Sequence, residues 1–389
     1  MDSKYLPIKI SYTLFLYTIL SLQLATAQQT LNKTMIYNNL TREYIVYIPI
    51  LYDGSNSMPL LFNFHGYGGQ ANSYMNFADM RTTSDTAGFI LVYPQGYSNG
   101  NGDTHWEVGD LSAVGSADDL GFVEAMIDTL NSEYNINLER VYSCGMSNGG
   151  YFSFEIACHL SDRIAAVFSV AGSMADQTYN HCNPTHPTPV ATIHGTADST
   201  VHYFGGGPWN PVSLPLVNLY WANYNNTNDM PVITNLPDIE PLDGTTIEHS
   251  IFSNGDSCTS VEHYKVVGGG HWYWPGVNGN MDINASSVIW DFVSKYDIHG
   301  LIDCGGISIN DISADRNKIQ IFPNPFESLF TVKMEIVGNK DYQIYSTIGE
   351  LLQSGSINSN NMTIDLSRMP NSMYFLKIDD RVTKLIKTK

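Results

Sequence analysis

The sequence predicts an α/β fold, a mostly parallel β-sheet with helices on both faces, followed by a small all-β sandwich. Short apolar runs rich in β-formers alternate with helix-like stretches through most of the 389 residues. After residue 317 only short β-like runs follow. The balance of acidic and basic residues changes at the same point. Residues 28–317 carry 30 Asp and Glu against 8 Lys and Arg, whereas residues 318–389 carry 7 against 9.

Seven runs in the first part have the composition of strands, and three longer stretches have helical spacing. The predicted strands are residues 44–48, 60–64, 89–93, 141–144, 165–170, 190–193 and 263–267. The predicted helices are residues 117–134, 151–164 and 284–296. Because reactive groups in such folds gather beyond the carboxyl ends of the strands, a site is expected on the loops that follow these strands.

The N-terminus has the pattern of an export signal. Lys4 and Lys9 precede an apolar stretch at residues 10–24, and Ala25-Thr26-Ala27 supplies small residues for cleavage. We predict a signal peptide at residues 1–27. The alternative is a membrane anchor, but the apolar stretch is shorter than the ~20 residues that span a bilayer and contains five polar residues.

The acidic charge of residues 28–317 excludes two classes of partner. Nucleic acids and anionic membranes bind cationic surfaces, so neither is expected here. Solubility in a salty exterior accounts for the charge. No Cys-x-x-Cys or His-Glu-x-x-His spacing indicates a metal site, and we expect a monomer.

Five cysteines in an exported chain permit disulfides, and the odd number leaves at least one without a partner in the chain. Cys144 lies inside a predicted strand and is the expected buried free thiol. The other four allow three pairings, and the sequence does not choose among them: Cys158, Cys182, Cys258 and Cys304.

Gly145-Met146-Ser147-Asn148-Gly149 lies where a predicted strand gives way to a helix. A serine on such a tight turn holds its hydroxyl above the sheet edge, and the small glycines let the chain fold back sharply. This geometry suits a nucleophile. The alternative is a purely structural turn, since glycine-serine turns are common.

A nucleophilic serine needs a base, and the base needs a third group that orients it. Asp198 and His271 each follow a later predicted strand, and three glycines precede His271. Ser147, Asp198 and His271 therefore form the predicted catalytic triad, in the chain order of an α/β-hydrolase. Three alternatives are that Asp198 caps a turn, that His271 is a solvated loop residue, and that His194 is the base; we expect His194 to bond locally instead.

Backbone N–H groups for the developing oxyanion are predicted on two loops. The loop His65-Gly66-Tyr67-Gly68-Gly69 follows a strand, and we assign the N–H groups of Tyr67 and Asn148 to the oxyanion hole. A phosphate cradle is the alternative, but no Lys follows the loop. Asp118 and Asp119 begin a predicted helix, where an N-terminal cap is favoured over catalysis.

Aromatic residues near the same loops are candidate substrate contacts, namely Trp106, Trp272 and Trp274. Aromatic side chains beside a catalytic group suit a flat or hydrophobic substrate. The alternative is that these rings pack the loops.

Taken together, these motifs resemble the extracellular polyhydroxybutyrate depolymerase and feruloyl esterase group of α/β-hydrolases. Six sequence motifs match, and they occur along residues 40–300 in the same order as in that family: His65-Gly66-Tyr67-Gly68-Gly69, Tyr93-Pro94-Gln95-Gly96, Asp118-Asp119-Leu120-Gly121-Phe122, Gly145-Met146-Ser147-Asn148-Gly149-Gly150, His194-Gly195-Thr196-Ala197-Asp198 and Gly269-Gly270-His271. The resemblance implies an α/β-hydrolase fold at residues 28–303, ester hydrolysis by Ser147, Asp198 and His271, and no cofactor. One departure is the segment Trp272-Tyr273-Trp274 after His271, where relatives usually read Thr-Trp.

The C-terminal residues 318–389 contain Pro323-Asn324-Pro325, a series of short β-like runs and a Lys-rich end. This segment resembles the sorting domain of type IX secretion in Gram-negative bacteria, preceded by a linker at residues 304–317. The resemblance implies recognition by the type IX machinery, passage across the outer membrane, and release or surface attachment. A carbohydrate-binding module is the alternative, but the segment has no Trp to stack on sugars.

The sequence thus predicts a secreted serine esterase that cleaves polyester or polysaccharide-linked esters through an acyl-enzyme. Polyhydroxyalkanoate, feruloylated or acetylated polysaccharide, and synthetic polyester all remain open as substrates. Two other classes are a serine peptidase on the same fold, with the same triad, and a non-catalytic surface-binding protein.

Overall fold

A computed structural model describes most of the chain. Described are residues 28–98, 102–109, 117–207, 209–271, 274–304, 320–324, 326–334, 340–346, 351–378 and 381–388. The predicted signal peptide, Trp272 and residues 305–317 of the predicted linker lie outside the described residues. None of the described helices combines the length and the apolar character needed to cross a membrane.

The elements of the first part alternate as predicted. The strands are β1 (Gln29–Tyr37), β2 (Leu40–Ile48), β3 (Met58–Phe64), β4 (Ile90–Pro94), β5 (Tyr97–Ser98), β6 (Thr104–His105), β7 (Ile136–Met146), β8 (Ala166–Val170), β9 (Val190–Gly195), β10 (Val232–Asn235), β11 (Thr246–Phe252), β12 (Val261–Val267), β13 (Tyr296–Asp297) and β14 (Gly300–Leu301). The helices are α1 (Ala71–Phe77), α2 (Arg81–Ala87), α3 (Asp119–Glu133), α4 (Asn148–His159), α5 (Asp176–His181), α6 (Leu214–Tyr224) and α7 (Ala285–Val293).

Ten of these strands form one sheet in the order β1-β2-β4-β3-β7-β8-β9-β12-β11-β10. The central strands from β4 to β12 are parallel, and β1, β2, β11 and β10 add antiparallel edges. The chain passes from β3 to β4 on one side and then crosses to β7 on the other side of β3. Where the strand order reverses in this way, the loops beyond the strand ends form a crevice suited to a ligand.

Two hydrophobic clusters cover the two faces of the sheet. Along β3, Leu60, Phe62 and Phe64 join the cluster under α3, α4 and α6, whereas Leu61 joins the cluster under α1 and α7. Successive strand residues point to opposite faces, so a strand buried on both faces reads as a continuous apolar run. The predicted mostly parallel sheet with helices on both faces is therefore confirmed.

Some bounds differ from the prediction. Helix α4 begins at Asn148, directly after Ser147, and not at residue 151. Helix α7 ends at Val293 because the following residues form the β13–β14 hairpin. The edge strands β1 and β10 were not predicted, since their side chains are largely exposed and their composition is mixed.

The cysteines form two disulfides, Cys158–Cys182 and Cys258–Cys304, and Cys144 is free and buried. The expectation for Cys144 is confirmed. Cys304, which the predicted boundary assigns to the linker, is bonded to Cys258 of the α/β part.

The described residues beyond 319 form two antiparallel sheets. Their strands are β15 (Gln320–Phe322), β16 (Leu329–Lys333), β17 (Lys340–Tyr345), β18 (Leu351–Ile357), β19 (Asn361–Asp365), β20 (Met373–Ile378) and β21 (Arg381–Ile386). One sheet has the order β15-β16-β19 and the other β18-β17-β20-β21. Side chains from both sheets, including Val332, Ile344 and Leu376, share one hydrophobic cluster. The predicted small all-β sandwich is confirmed.

Candidate active site

Ser147 lies on a strained turn between β7 and α4. Its φ of 55° and ψ of −119° are outside the regions that a non-glycine residue normally occupies. Such backbone strain persists only where the surrounding structure holds the residue in place. One such constraint is the hydrogen bond that the N–H of Ser147 donates to the carbonyl of Val170 at 2.8 Å. Tyr151, one turn into α4, donates its N–H to the Ser147 carbonyl at 2.9 Å. The turn holds the serine beyond the carboxyl end of β7.

Two glycines of this turn are required by close backbone contacts. A Cβ on Gly149 would lie 2.1 Å from the carbonyl oxygen of Phe64, and a Cβ on Gly145 would lie 2.6 Å from the backbone of Gly149. Both distances are far below van der Waals contact. Glycine is therefore required at these two positions because α4 packs closely against the ends of β3 and β7.

The three residues of the predicted triad meet at hydrogen-bond distance. Nε2 of His271 lies 3.0 Å from Oγ of Ser147, and Nδ1 of His271 lies 2.7 Å from Oδ2 of Asp198. Because a carboxylate only accepts, Nδ1 carries the proton and Nε2 is left to accept from the serine hydroxyl. The side chains of His271 and Asp198 are buried, and Ser147 is half-buried.

Asp198 is held as a carboxylate. Burial alone would raise its pKa, but hydrogen bonds from His194 and His271 outweigh burial and hold the pKa well below its usual value. The other oxygen, Oδ1, accepts from the N–H groups of Thr200 and Val201, both at 2.8 Å. Asp198 therefore orients His271 and also closes its own loop.

His194 contacts the loop of Asp198 and the Gly172 carbonyl. Its side chain is fully buried, with Nε2 at 2.8 Å from the Val201 carbonyl and 3.3 Å from Oδ2 of Asp198, and Nδ1 at 3.3 Å from the Gly172 carbonyl. The expected local bonding of His194 agrees with these contacts.

The loop after β3 lies against Ser147. A Cβ on Gly66 would be 3.4 Å from Cβ of Ser147, and Gly68 donates its N–H to the Thr104 carbonyl at 2.7 Å. His65 anchors the loop. Its Nε2 accepts from the N–H of Gly96 at 2.9 Å, so Nδ1 is protonated and donates to the Gly66 carbonyl at 2.7 Å. Burial lowers the pKa of His65 to about 4, which keeps the ring neutral at pH 7.

Asp118 and Asp119 have different roles. Asp118 caps α3 by accepting from the N–H of Gly121 at 2.9 Å, as predicted. Asp119 is buried, pairs with Arg42 at 2.6 Å and accepts from the N–H of Glu107 at 2.8 Å. This ion pair ties the segment that carries Trp106 to strand β2.

A cleft of about 190 Å³ opens beside Ser147 and His271. Tyr67 and Asn148, whose backbone N–H groups are predicted to form the oxyanion hole, both line this cleft. Trp106 also lines it, and its buried ring forms part of the wall. Other residues line the cleft that were not predicted from the sequence, including His105, Tyr151, Val201 and Trp209. One signal was present for Tyr151, because a residue four positions after Ser147 lies one helical turn away.

The predicted substrate contact by Trp274 is wrong. Its side chain is fully buried on the α1–α7 face of the sheet, where its ring packs edge-on to Tyr74 and its Nε1 donates to Ser286 at 3.1 Å. The segment after Trp274 leads back to α7, where the N–H of Ala285 donates to the Pro275 carbonyl at 2.8 Å, so the ring packs on that face of the sheet. Trp272 lies outside the described residues.

Comparison with known proteins gives matches to both parts of the chain. Residues 42–185 match the family described as esterase PHB depolymerase, and residues 320–389 match the secretion system C-terminal sorting domain. A bifunctional acetylxylan esterase/xylanase from Neocallimastix patriciarum is 28% identical, over 64% of this chain and 32% of its own length. Feruloyl esterase B from Piromyces equi is 26% identical, over 66% of this chain and 46% of its own length.

The chain thus spans less than half the length of these two curated relatives. Among solved structures, an acetyl xylan esterase from Aspergillus awamori has a TM-score of 0.49 and 17% identity, over 68% of this chain and 99% of that one. The chain thus combines a region that matches the esterase PHB depolymerase family, at residues 42–185, with a region that matches the secretion system C-terminal sorting domain, at residues 320–389.

Proposed function

We propose that this protein is a secreted carboxylic ester hydrolase in which Ser147, His271 and Asp198 form the catalytic triad. One observation carries the proposal. His271 bridges the other two residues, with Nε2 at 3.0 Å from the Ser147 hydroxyl and Nδ1 at 2.7 Å from Asp198. A hydroxyl, a base and an orienting carboxylate in this order are the parts that acyl transfer needs.

The mechanism follows from these contacts. His271 takes the hydroxyl proton through Nε2 while Oγ of Ser147 attacks the ester carbonyl. The N–H groups of Tyr67 and Asn148, the latter at the positive end of α4, stabilise the oxyanion. The alcohol leaves with the proton from His271, and water then attacks the acyl-enzyme with His271 again as the base.

Ser147→Ala tests the assignment. We expect hydrolysis of p-nitrophenyl acetate to fall at least about a thousandfold, because the nucleophile is lost. Ser287→Ala, an exposed serine on α7, is the matched control. Circular dichroism checks that both variants fold. Full activity of folded Ser147→Ala would end the proposal, and faster cleavage of a peptide anilide than of the ester would favour a peptidase.

The substrate class is an ester of a polymer. The relatives named for acetylxylan and feruloyl ester hydrolysis support esters carried by polysaccharide, and the matched family supports polyhydroxybutyrate. Turnover of acetylated xylan, methyl ferulate and 3-hydroxybutyrate oligomers by the purified protein separates these substrates.

Export through the C-terminal domain is part of the same proposal. The signal peptide at residues 1–27 would carry the chain across the inner membrane, and residues 318–389 would present it to the type IX machinery. In a bacterium with that machinery, a chain that lacks residues 318–389 should accumulate in the periplasm and fail to cross the outer membrane. Equal export of the full and shortened chains would contradict the role of this domain.

A further inference from the structure

Two residues of the cleft have buried polar atoms that find no hydrogen-bond partner within the described part of the chain. Nε2 of His105 and Oη of Tyr151 lack a partner among the described residues, although both side chains are about 3% exposed. Both residues line the cleft beside Ser147. Buried polar atoms in folded proteins are almost always bonded, so a pair of unbonded ones in one cleft indicates that a ligand supplies the partner.

The two atoms have complementary hydrogen-bonding character. Nδ1 of His105 faces the carbonyl of Asp103 at 3.4 Å, which places the proton on Nδ1 and leaves Nε2 as an acceptor. Burial and the nearby charge of Asp198 raise the pKa of Tyr151, so its hydroxyl stays protonated and donates. An acceptor and a donor together suit a group that also both donates and accepts, which is a hydroxyl.

Aromatic rings line the same cleft. The ring of Tyr67 lies 5.6 Å from that of Trp209 and 6.0 Å from that of His105, with tilts of 50° and 45°. The ring of Trp106 lies deeper in the wall. Rings arranged in this way favour a flat substrate group over a branched aliphatic one.

The position of Tyr151 relative to the nucleophile is fixed. Its backbone N–H is bonded to the carbonyl of Ser147 within the first turn of α4, and its ring belongs to the hydrophobic cluster on that face. A hydroxyl bound by Tyr151 therefore sets the distance between the substrate ring and the carbonyl that Ser147 attacks.

We propose that His105 and Tyr151 form a hydroxyl-binding subsite that takes a flat, ring-borne hydroxyl of the ester substrate. The inference rests on the proposed ester hydrolysis at Ser147. The hydroxyl can belong to the acid or to the alcohol part of the ester, and matched substrates distinguish these two sources.

The test compares esters with and without the hydroxyl. Methyl 4-hydroxycinnamate against methyl cinnamate tests the acid side, and 4-hydroxyphenyl acetate against phenyl acetate tests the alcohol side. We expect the full-length protein to prefer the hydroxylated member of one pair by about tenfold in kcat/KM, the effect of one or two added hydrogen bonds. Equal rates within both pairs would overturn the subsite.

Single-residue variants test whether Tyr151 causes the preference for the hydroxylated ester. Tyr151→Phe should reduce it to about twofold or less, mainly through a higher KM for the hydroxylated ester. Tyr224→Phe is the matched control, because its hydroxyl bonds the Pro184 carbonyl away from the cleft, and it should keep the preference. A folded Tyr151→Phe protein that keeps the full preference would contradict the inference.

Inhibition of the unmodified protein gives a measurement that needs no variant. The hydroxylated acid or phenol of the preferred pair should inhibit about tenfold more tightly than its deoxy form. Hydrolysis of all four esters without discrimination overturns the subsite alone, whereas hydrolysis of none overturns the proposed function and the subsite with it.

Discussion

The side-chain amide of Asn148 is bonded in both directions to the backbone of Trp106. Its Oδ1 accepts from the N–H of Trp106 at 2.8 Å, and its Nδ2 donates to the Trp106 carbonyl at 3.2 Å. The indole of Trp106 in turn donates to the carbonyl of His65 at 2.9 Å. The residue after the nucleophile thus fixes the wall of the cleft to the end of β3, a role separate from that of its backbone N–H.

Asn148→Ala should loosen the cleft wall while leaving the backbone N–H in place. Loss of two hydrogen bonds predicts a fall in kcat/KM of about 10- to 100-fold, with KM changing more than kcat. Steady-state kinetics on p-nitrophenyl acetate and a longer ester measure the effect. Unchanged kinetics on both esters would show that the Asn148–Trp106 pair does not shape the site.

Asp198→Asn tests the orienting carboxylate. Because Oδ1 of Asp198 accepts from two backbone N–H groups, the amide oxygen of Asn would take that position and its NH2 group would face Nδ1 of His271. The imidazole would then carry its proton on Nε2 and could not accept from Ser147, so kcat should fall by about 10⁴. Asp176→Asn, an exposed carboxylate at the start of α5, is the matched control and should retain full activity. A fall of less than about tenfold in Asp198→Asn would contradict the assigned role.

His65 should make the protein less stable in mild acid. Its folded pKa is about 4, below the value near 6.5 for an unfolded chain. Between these values the unfolded state binds a proton that the folded state does not, so stability is full above pH 6.5 and falls as pH drops toward 4. The expected loss from this group is about 3 kcal/mol at pH 4.

Urea unfolding at pH 7 and pH 4 measures this loss, and His65→Gln is the comparison. The variant should lose less stability between the two pH values than the unmodified protein, although it starts lower. His263, whose pKa is about 3, is buried in both proteins and contributes equally. Equal pH dependence in the two proteins would rule out His65 as the cause.

Gly149→Ala should prevent normal folding. The added Cβ would lie 2.1 Å from the carbonyl oxygen of Phe64, and neither backbone can move without separating α4 from β3. A destabilisation of at least about 3 kcal/mol is expected, above the usual range for overpacking. Gly270→Ala, where a Cβ meets nothing within 4 Å, is the control and should melt within a few degrees of the unmodified protein. Similar melting temperatures for both variants would contradict the packing argument.

The buried part of the fold was readable from the sequence. Each of the seven predicted strands lies within or overlaps one of the parallel strands or β2, because strands covered on both faces must be apolar throughout. The edge strands β1 and β10 escaped prediction because exposed positions accept polar residues. Strand β11 and helices α1, α2, α5 and α6 were also not predicted.

The site was predicted unevenly. The order of Ser147, Asp198 and His271 along the chain suggested a common site, and these residues lie within hydrogen-bond reach of one another; their catalytic roles remain a proposal. The positions of the aromatic side chains were harder to predict from the sequence. Trp106 and Trp274 both follow loop-like sequence, yet one ring lines the cleft and the other fills the core.

By itself, the sequence determined the alternation of strands and helices, the glycine turn around Ser147, and the change in charge and in secondary-structure type near residue 317. These features are local, because they depend on periodicity and on which residues fit a tight turn. Only the tertiary structure decided the cysteine pairing, the contact of Asn148 with Trp106, and the burial of polar atoms of His105 and Tyr151 in one cleft with no partner among the described residues. Those depend on which distant segments pack together and on where each side chain points once they have done so.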